Sequence, residues 1–388
     1  MMKMFGLAVV TGLFGVGLTH SIAAHDSIDS ELVTPEVQAR LDSIAAHAGI
    51  DTVWRASRDH AVAKYINPAD YECGFTDFDY WIFASLDQLD NTGSLDNFIT
   101  LYFLGVLDWP TLYSLILDHD ASDDYIGVFG EHTQELLKRH KDNQRFWNVA
   151  TDDVLLQGMH GSVIADDSKM VPLVMILWDV DEDFAQFIVD MAQDILDNDP
   201  GIGYDSPWFT LNAIAFSEVG ECEDSILAGR GIPDKIVMGD GILEVLTDLG
   251  FGENGPDAVH AHEFAHHVQF ELGVYLPCDE FDEDITPEFT RYTELMADAL
   301  GAYYCAHARG AAFQARRVME VIGEAYVNGD CVFDSPFHHG TPNQREAAAR
   351  WGVNLATSVQ KQGHIISPDD MRSLFDDVYE ELIAPDAP

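Results

Sequence analysis

The chain has 388 residues, enough for two domains or one large one, and its 47% hydrophobic composition is ample for a core. Lys and Arg number 20 against 67 Asp and Glu, a formal net charge of −47. The acids are dispersed rather than gathered in a tail, so they describe the surface of a folded protein suited to a salty, screening medium; they exclude nucleic acid and anionic membrane as partners, since phosphate needs Lys and Arg.

Residues 1–24 read as a secretory signal peptide. Lys3 supplies the positive charge, Phe5 to Leu18 an apolar run too short for an easy membrane span, and Ser21-Ile22-Ala23-Ala24 the small residues for cleavage. An uncleaved N-terminal anchor is the alternative. No later stretch is apolar enough to span a bilayer, so the expected location is secreted or periplasmic, with no membrane insertion of the mature chain.

Residues 25–199 read as a mostly helical N-terminal region, either an accessory domain or a propeptide. A helix is expected to start at Thr34-Pro35, with Val37, Leu41 and Ile44 inward. Ser94 to Leu107, Pro110 to Leu117 and Gly130 to His140 are further helices. Asp179-Val180-Asp181-Glu182-Asp183 alternates like a calcium loop, but Phe184 stands where the loop needs Gly. An acidic helix N-terminus fits better, with Phe184, Phe187, Ile188 and Met191 as the buried stripe. His119, His132, His140 and His160 show no partner pattern and read as structural or surface residues.

The turn Asn198-Asp199-Pro200-Gly201 marks a boundary, and residues 200–388 form the second domain. Trp208 to Phe216 and Lys235 to Met238 are expected strands, Ile242 to Leu249 a helix and Gly250 to Pro256 a loop. Pro277 to Pro287 is an acidic loop, Asn343 to Leu355 a helix capped by Thr341 and Pro342, and Ser367-Pro368 the start of a last helix with Met371, Leu374, Phe375 and Val378 inward. The cysteines are Cys73, Cys222, Cys278, Cys305 and Cys331, none in a C-x-x-C pair. An oxidising compartment permits disulfides, and Cys278 with Cys331 is the first expected pair. Cys305, on an apolar helix, reads as a buried free thiol.

The chemistry gathers at Ala261-His262-Glu263-Phe264-Ala265-His266-His267-Val268-Gln269. On a helix His262 and His266 lie one turn apart and can direct two imidazoles at one Zn²⁺, while Glu263 is placed to take a proton from a zinc-bound water. A third ligand six residues after His266 is excluded, because that position is Leu272. The next candidate is Glu294, in the apolar helical run Glu294-Leu295-Met296-Ala297-Asp298. Asp298 lies one turn later, where a carboxylate can hold a ligand histidine by its other nitrogen.

Three blocks in order, His262 to Gln269, Glu294 to Asp298 and His339-Gly340-Thr341-Pro342-Asn343-Gln344-Arg345, resemble the bacterial neutral zinc metallopeptidases, a gluzincin-type family. The resemblance covers about residues 230 to 352. Ala265 departs from it where that family has Gly. It implies zinc bound by His262, His266 and Glu294, with Glu263 as catalytic base. The expected architecture is an α+β, largely helical fold: a zincin-like catalytic domain with a small antiparallel or mixed sheet, and the N-terminal helical region before it. An edge strand would pair with an extended peptide or protein substrate. His338 or His339 is a candidate donor to the oxyanion, with Tyr292, Tyr303 and Tyr304 as rivals. Arg345 either pairs with Asp298 or lies in a surface ion pair. The expected function is that of a secreted zinc-dependent peptidase. The alternative is a catalytically inactive, peptidase-like zinc protein that binds peptides or a partner.

Overall fold

The computed structural model describes residues 39, 71, 73–121, 124–220, 225–275, 286–333, 335, 338–358 and 363–385. The signal segment, the helix expected from Thr34 apart from the helical Ala39, and Cys222 and Cys278 lie outside the described residues. The fold is α+β and largely helical.

The N-terminal half supplies α1 (Asp77–Thr92), α2 (Leu95–Phe103), α3 (Trp109–Ile116), α4 (Thr133–Phe146), the strand β1 (Leu155–Met159), α5 (Asp167–Trp178) and α6 (Glu182–Asn198). Caps explain several of the starts. Thr76 and Asp79 form a reciprocal capping box at α1, and Asp181 accepts from the Phe184 N–H at α6. The acidic run before Phe184 is thus a helix start. The fully buried stripe of α6 is Ala185, Ile188, Val189, Ala192 and Leu196, with Phe184, Phe187 and Met191 half-buried beside it.

The second half supplies β2 (Ala213–Phe216), β3 (Lys235–Gly239), α7 (Asp240–Asp248), α8 (Gly255–Glu271), α9 (Thr286–Ala306), α10 (Ala315–Val327), α11 (Pro342–Ser358) and α12 (Pro368–Leu382). The sheet is mixed, in the order β1-β3-β2. β1 runs parallel to β3 with Leu155 opposite Lys235, and β2 runs antiparallel with Phe216 opposite Lys235. It thus draws strands from both sides of residue 200. One contiguous core joins Trp109 and Leu136 to Ile214 and Val237 of the sheet and to Leu295 and Leu300 of α9.

Several expectations need correction. Trp208 does not open a strand: Pro207–Phe209 is a 3-10 turn led by proline, and extended pairing begins at Ala213. The segment Gly250 to Pro256 is not wholly loop, because Pro256 sits in the first turn of α8, where its missing N–H costs nothing. Pro287 likewise belongs to α9 rather than to the acidic loop, whose other residues lie outside those described apart from Thr286, the first of that helix. On α12, Met371 and Phe375 face inward as expected, but Leu374 is 39% exposed and Val378 only half-buried. The disulfide joins Cys331 to Cys73, not to Cys278, with a Cα–Cα distance of 5.7 Å. Cys305 is a buried free thiol, as expected.

Helix α8 is a core helix: every residue from Gly255 to Gln269 is buried. It packs against α9, α4 and β2, and α9 in turn packs on α11. That last approach is close enough to require glycine, since a Cβ on Gly352 would fall 2.0 Å from the Ala299 carbonyl oxygen. Among the described residues no single helix is long and apolar enough to cross a membrane.

Candidate metal centre

Burying polar residues along a core helix demands partners for each of them. The His262 and His266 Nε2 atoms lie 3.0 Å apart. Glu294 reaches across from α9, with Oε2 3.2 Å from His262 Nε2 and Oε1 3.4 Å from His266 Nε2. Ligand atoms around a tetrahedral zinc ion lie about 3.3 Å apart, so these spacings fit one ion without rearrangement.

The far sides of both rings are already occupied. His262 Nδ1 is 2.8 Å from Asp298 Oδ1, and His266 Nδ1 is 2.9 Å from Gln269 Oε1. Carboxylate and amide oxygens only accept, so each Nδ1 carries a hydrogen and each Nε2 is turned to the common point. Two Nε2 atoms 3.0 Å apart need a proton or a metal ion between them. Glu294 is fully buried, and around its oxygens stand only these two rings and, at 3.7 Å, Arg345 Nη2. The group is therefore incomplete as a purely structural cluster, and its chemistry suits a divalent ion.

The supports extend outward. Asp298 is gripped by Arg345 through Nε to Oδ2 at 2.7 Å and Nη2 to Oδ1 at 2.8 Å. Arg345 also donates to the Asn328 carbonyl at 3.2 Å, and Gln269 donates to the Thr293 carbonyl at 2.7 Å. This fork is the buried pair between Arg345 and Asp298, not a surface ion pair. Burial disfavours a charged imidazole, yet Asp298 and Glu294 outweigh it and push His262 up to about 10. Burial acts on His266 with less opposition and brings it down to about 4. Burial alone would raise Glu294, but the surrounding histidines hold it well below the usual carboxylate range.

Glu263 is fully buried, with the Ala215 backbone turned to its carboxyl. Burial, with the Glu294 charge adding to it and His262 opposing, pushes its carboxyl up to about 8. A carboxyl poised there accepts and returns a proton near neutral pH.

His339 lies on the loop before α11, buried. Its backbone N–H donates to Asp330 Oδ2 at 2.7 Å, and its Nδ1 lies 3.2 Å from the same oxygen. His338 Nδ1 lies 2.5 Å from Asp330 Oδ1. The three tyrosines have other engagements. Tyr292 donates to Asp376, Tyr303 accepts from the Ile366 N–H, and the Tyr304 hydroxyl faces the Arg139 carbonyl.

The structure thus brings His262, Glu263, His266, Glu294, Asp298 and Arg345 into one buried cluster. His119 meets Lys235, His140 meets His260, and His160 meets Asp240, all away from it. Sequence reading missed Gln269 and Asp330. The first carries a signal, being one turn after His266; the second is one acid among many on a loop. Comparison with family models, with curated proteins and with solved structures returns no match to this chain.

Proposed function

We propose that the chain is a secreted zinc-dependent peptidase of gluzincin type, acting on peptide or protein substrates. The observation that carries this reading is the convergence of the two Nε2 atoms and Glu294 on one point, with the buried Glu263 carboxyl beside them. A zinc ion held by His262, His266 and Glu294 would supply Lewis acidity, polarising the scissile carbonyl and acidifying water at its open position.

The remaining work belongs to the chain's own residues. Glu263 accepts the proton of the attacking water as its oxygen bonds to the carbonyl carbon, then delivers that proton to the nitrogen as the C–N bond breaks. Strand β2 runs beside the cluster. Gly239 N–H donates to the Asn212 carbonyl, so by antiparallel alternation Ile214 and Phe216 bond to β3 while Ala213 and Ala215 turn their N–H and C=O groups to the outer edge. The Ala215 backbone there is engaged with the Glu263 carboxyl and the strand is fully buried, so an extended peptide would pair with this edge only after the site opens.

One observation favours a second reading, a zinc protein that binds peptides or a partner without cleaving them. The ligands are closed off, with His262 3%, His266 2% and Glu294 0% exposed. Casein hydrolysis at high salt by the mature chain and by Glu263→Gln, with zinc measured in both, separates the readings. Zinc in both with cleavage by wild type alone supports the peptidase and the base role. Zinc in both with no cleavage favours the binding protein, and zinc in neither overturns both readings.

A further inference from the structure

We infer that Asp330 is a positioning residue of this centre, fixing the His339 ring where its loop packs on the α9 turn that carries Glu294, from a loop that the Cys73–Cys331 disulfide locks in place. The inference rests on the peptidase reading and names the residue that would aim a polar donor at the substrate carbonyl.

The loop from Asn328 to Thr341 joins α10 to α11. Asp330 sits near its start and is engaged with both histidines at its end, Oδ1 facing His338 Nδ1 and Oδ2 facing both the backbone N–H and Nδ1 of His339. The Asp330 N–H donates to the Gly340 carbonyl at 2.9 Å, closing the loop on itself. Its approach is anchored as well: Thr76 Oγ1 donates to the Val327 carbonyl, and Arg345 takes the Asn328 carbonyl. Cys331 follows Asp330 directly and is bonded to Cys73, three residues before Thr76.

The other end of the loop lies on the turn of α9 that carries Glu294. Gly340 has φ +101°, and a Cβ there would stand 3.1 Å from Leu295 Cδ2 and 3.5 Å from Arg291 Cγ. Leu295 follows Glu294 and Gly340 follows His339, so this end of the loop packs on the α9 turn that bears the carboxylate. With Nδ1 committed to Asp330, Nε2 is the ring atom left for the site. A carboxylate on Nδ1 fixes which nitrogen faces the reaction and where it points.

The test uses the zinc-loaded full chain and the variants Asp330→Asn, Asp330→Glu, His339→Ala and the double variant Asp330→Asn/His339→Ala. All should hold zinc as wild type does, because the ligands stand on α8 and α9. Asp330→Asn should lower kcat about 10- to 100-fold with KM changed less than about twofold, and Asp330→Glu should recover part of the loss. The double variant should be no slower than His339→Ala, since both changes remove one function. Independently of turnover, the ¹⁵N chemical shifts of the His339 ring should show a single Nδ1–H tautomer in wild type and a mixture in Asp330→Asn. An unchanged ring in Asp330→Asn, multiplying losses in the double variant, or zinc lost in step with activity would each overturn the inference. Should zinc-loaded wild type cleave nothing, the peptidase reading falls, and the His339 ring spectrum still decides whether Asp330 sets that ring.

Discussion

Helix α8 buries four histidines and treats its two faces differently. His260 and His267, seven residues apart, point to α4 and the sheet. His140 Nε2 faces the Val154 carbonyl at 2.8 Å, which fixes the hydrogen there and leaves Nδ1 to accept from His260 Nε2 at 3.1 Å. His267 Nε2 donates to the Lys235 carbonyl at 3.0 Å. Burial keeps His140 and His260 neutral, bringing His140 down to about 4. On the opposite face the acceptors take only Nδ1 of His262 and His266, and the two Nε2 atoms face each other and a carboxylate. Buried histidine alone is therefore no metal signal. The signal is ring nitrogens left over and aimed at one point.

The strongest way to break that contrast is to remove one histidine from each face. His266→Ala should lose zinc, with affinity down by about 10³ or more, because two protein ligands do not hold the ion. His260→Leu should keep a full equivalent of zinc and lose only about 1–3 kcal/mol of stability from the donor taken from His140. Zinc content after gel filtration decides it, and equal loss in both variants would erase the distinction between the faces.

A second test concerns a carboxylate buried behind the metal face. Glu324 accepts from Asn328 Nδ2 at 2.5 Å, and burial, with the Asp298 charge adding to it, pushes it from 4.5 up to about 7. Between those values the folded chain holds a proton that the unfolded chain has lost, so stability falls as pH rises through the window. The fall is up to about 3 kcal/mol, at about 1.4 kcal/mol for each pH step of one across that window. Glu324→Gln should lack this slope in urea unfolding between acidic and mildly alkaline pH, about 5 and about 8; a variant with the wild-type slope would assign it elsewhere.

The smallest expected effect is that of Asp298→Asn, which keeps the shape but removes the charge held between His262 and Arg345. Zinc affinity should weaken about 10- to 100-fold without loss of stoichiometry, as read by chelator competition. Unchanged affinity would show that the grip on His262 Nδ1 contributes nothing to the ligand.

The metal face was legible because it is local. His262 and His266 on one helix, and Glu294 and Asp298 on another, are spaced by one turn, and a turn is a period that sequence displays. Arg345 was legible only as one of two options, because nothing in Gln344-Arg345 says which acid the guanidinium will meet. Strand β1 was missed because Leu155-Leu156-Gln157-Gly158-Met159 does not alternate: it pairs in parallel with β3 and is largely buried, so no polar face marks it. The Cys73–Cys331 bond and the Asp330 contacts depend on the tertiary approach of distant or loop segments, for which spacing carries no information.

The disulfide has a consequence for the life of the protein among proteases. It closes a covalent ring with a sequence separation of 258, and the whole metal centre short of the last block, His339 to Arg345, lies inside it. A single cut anywhere within that ring leaves two fragments tied together. Nicked protein would run as one band without reductant and as two with it.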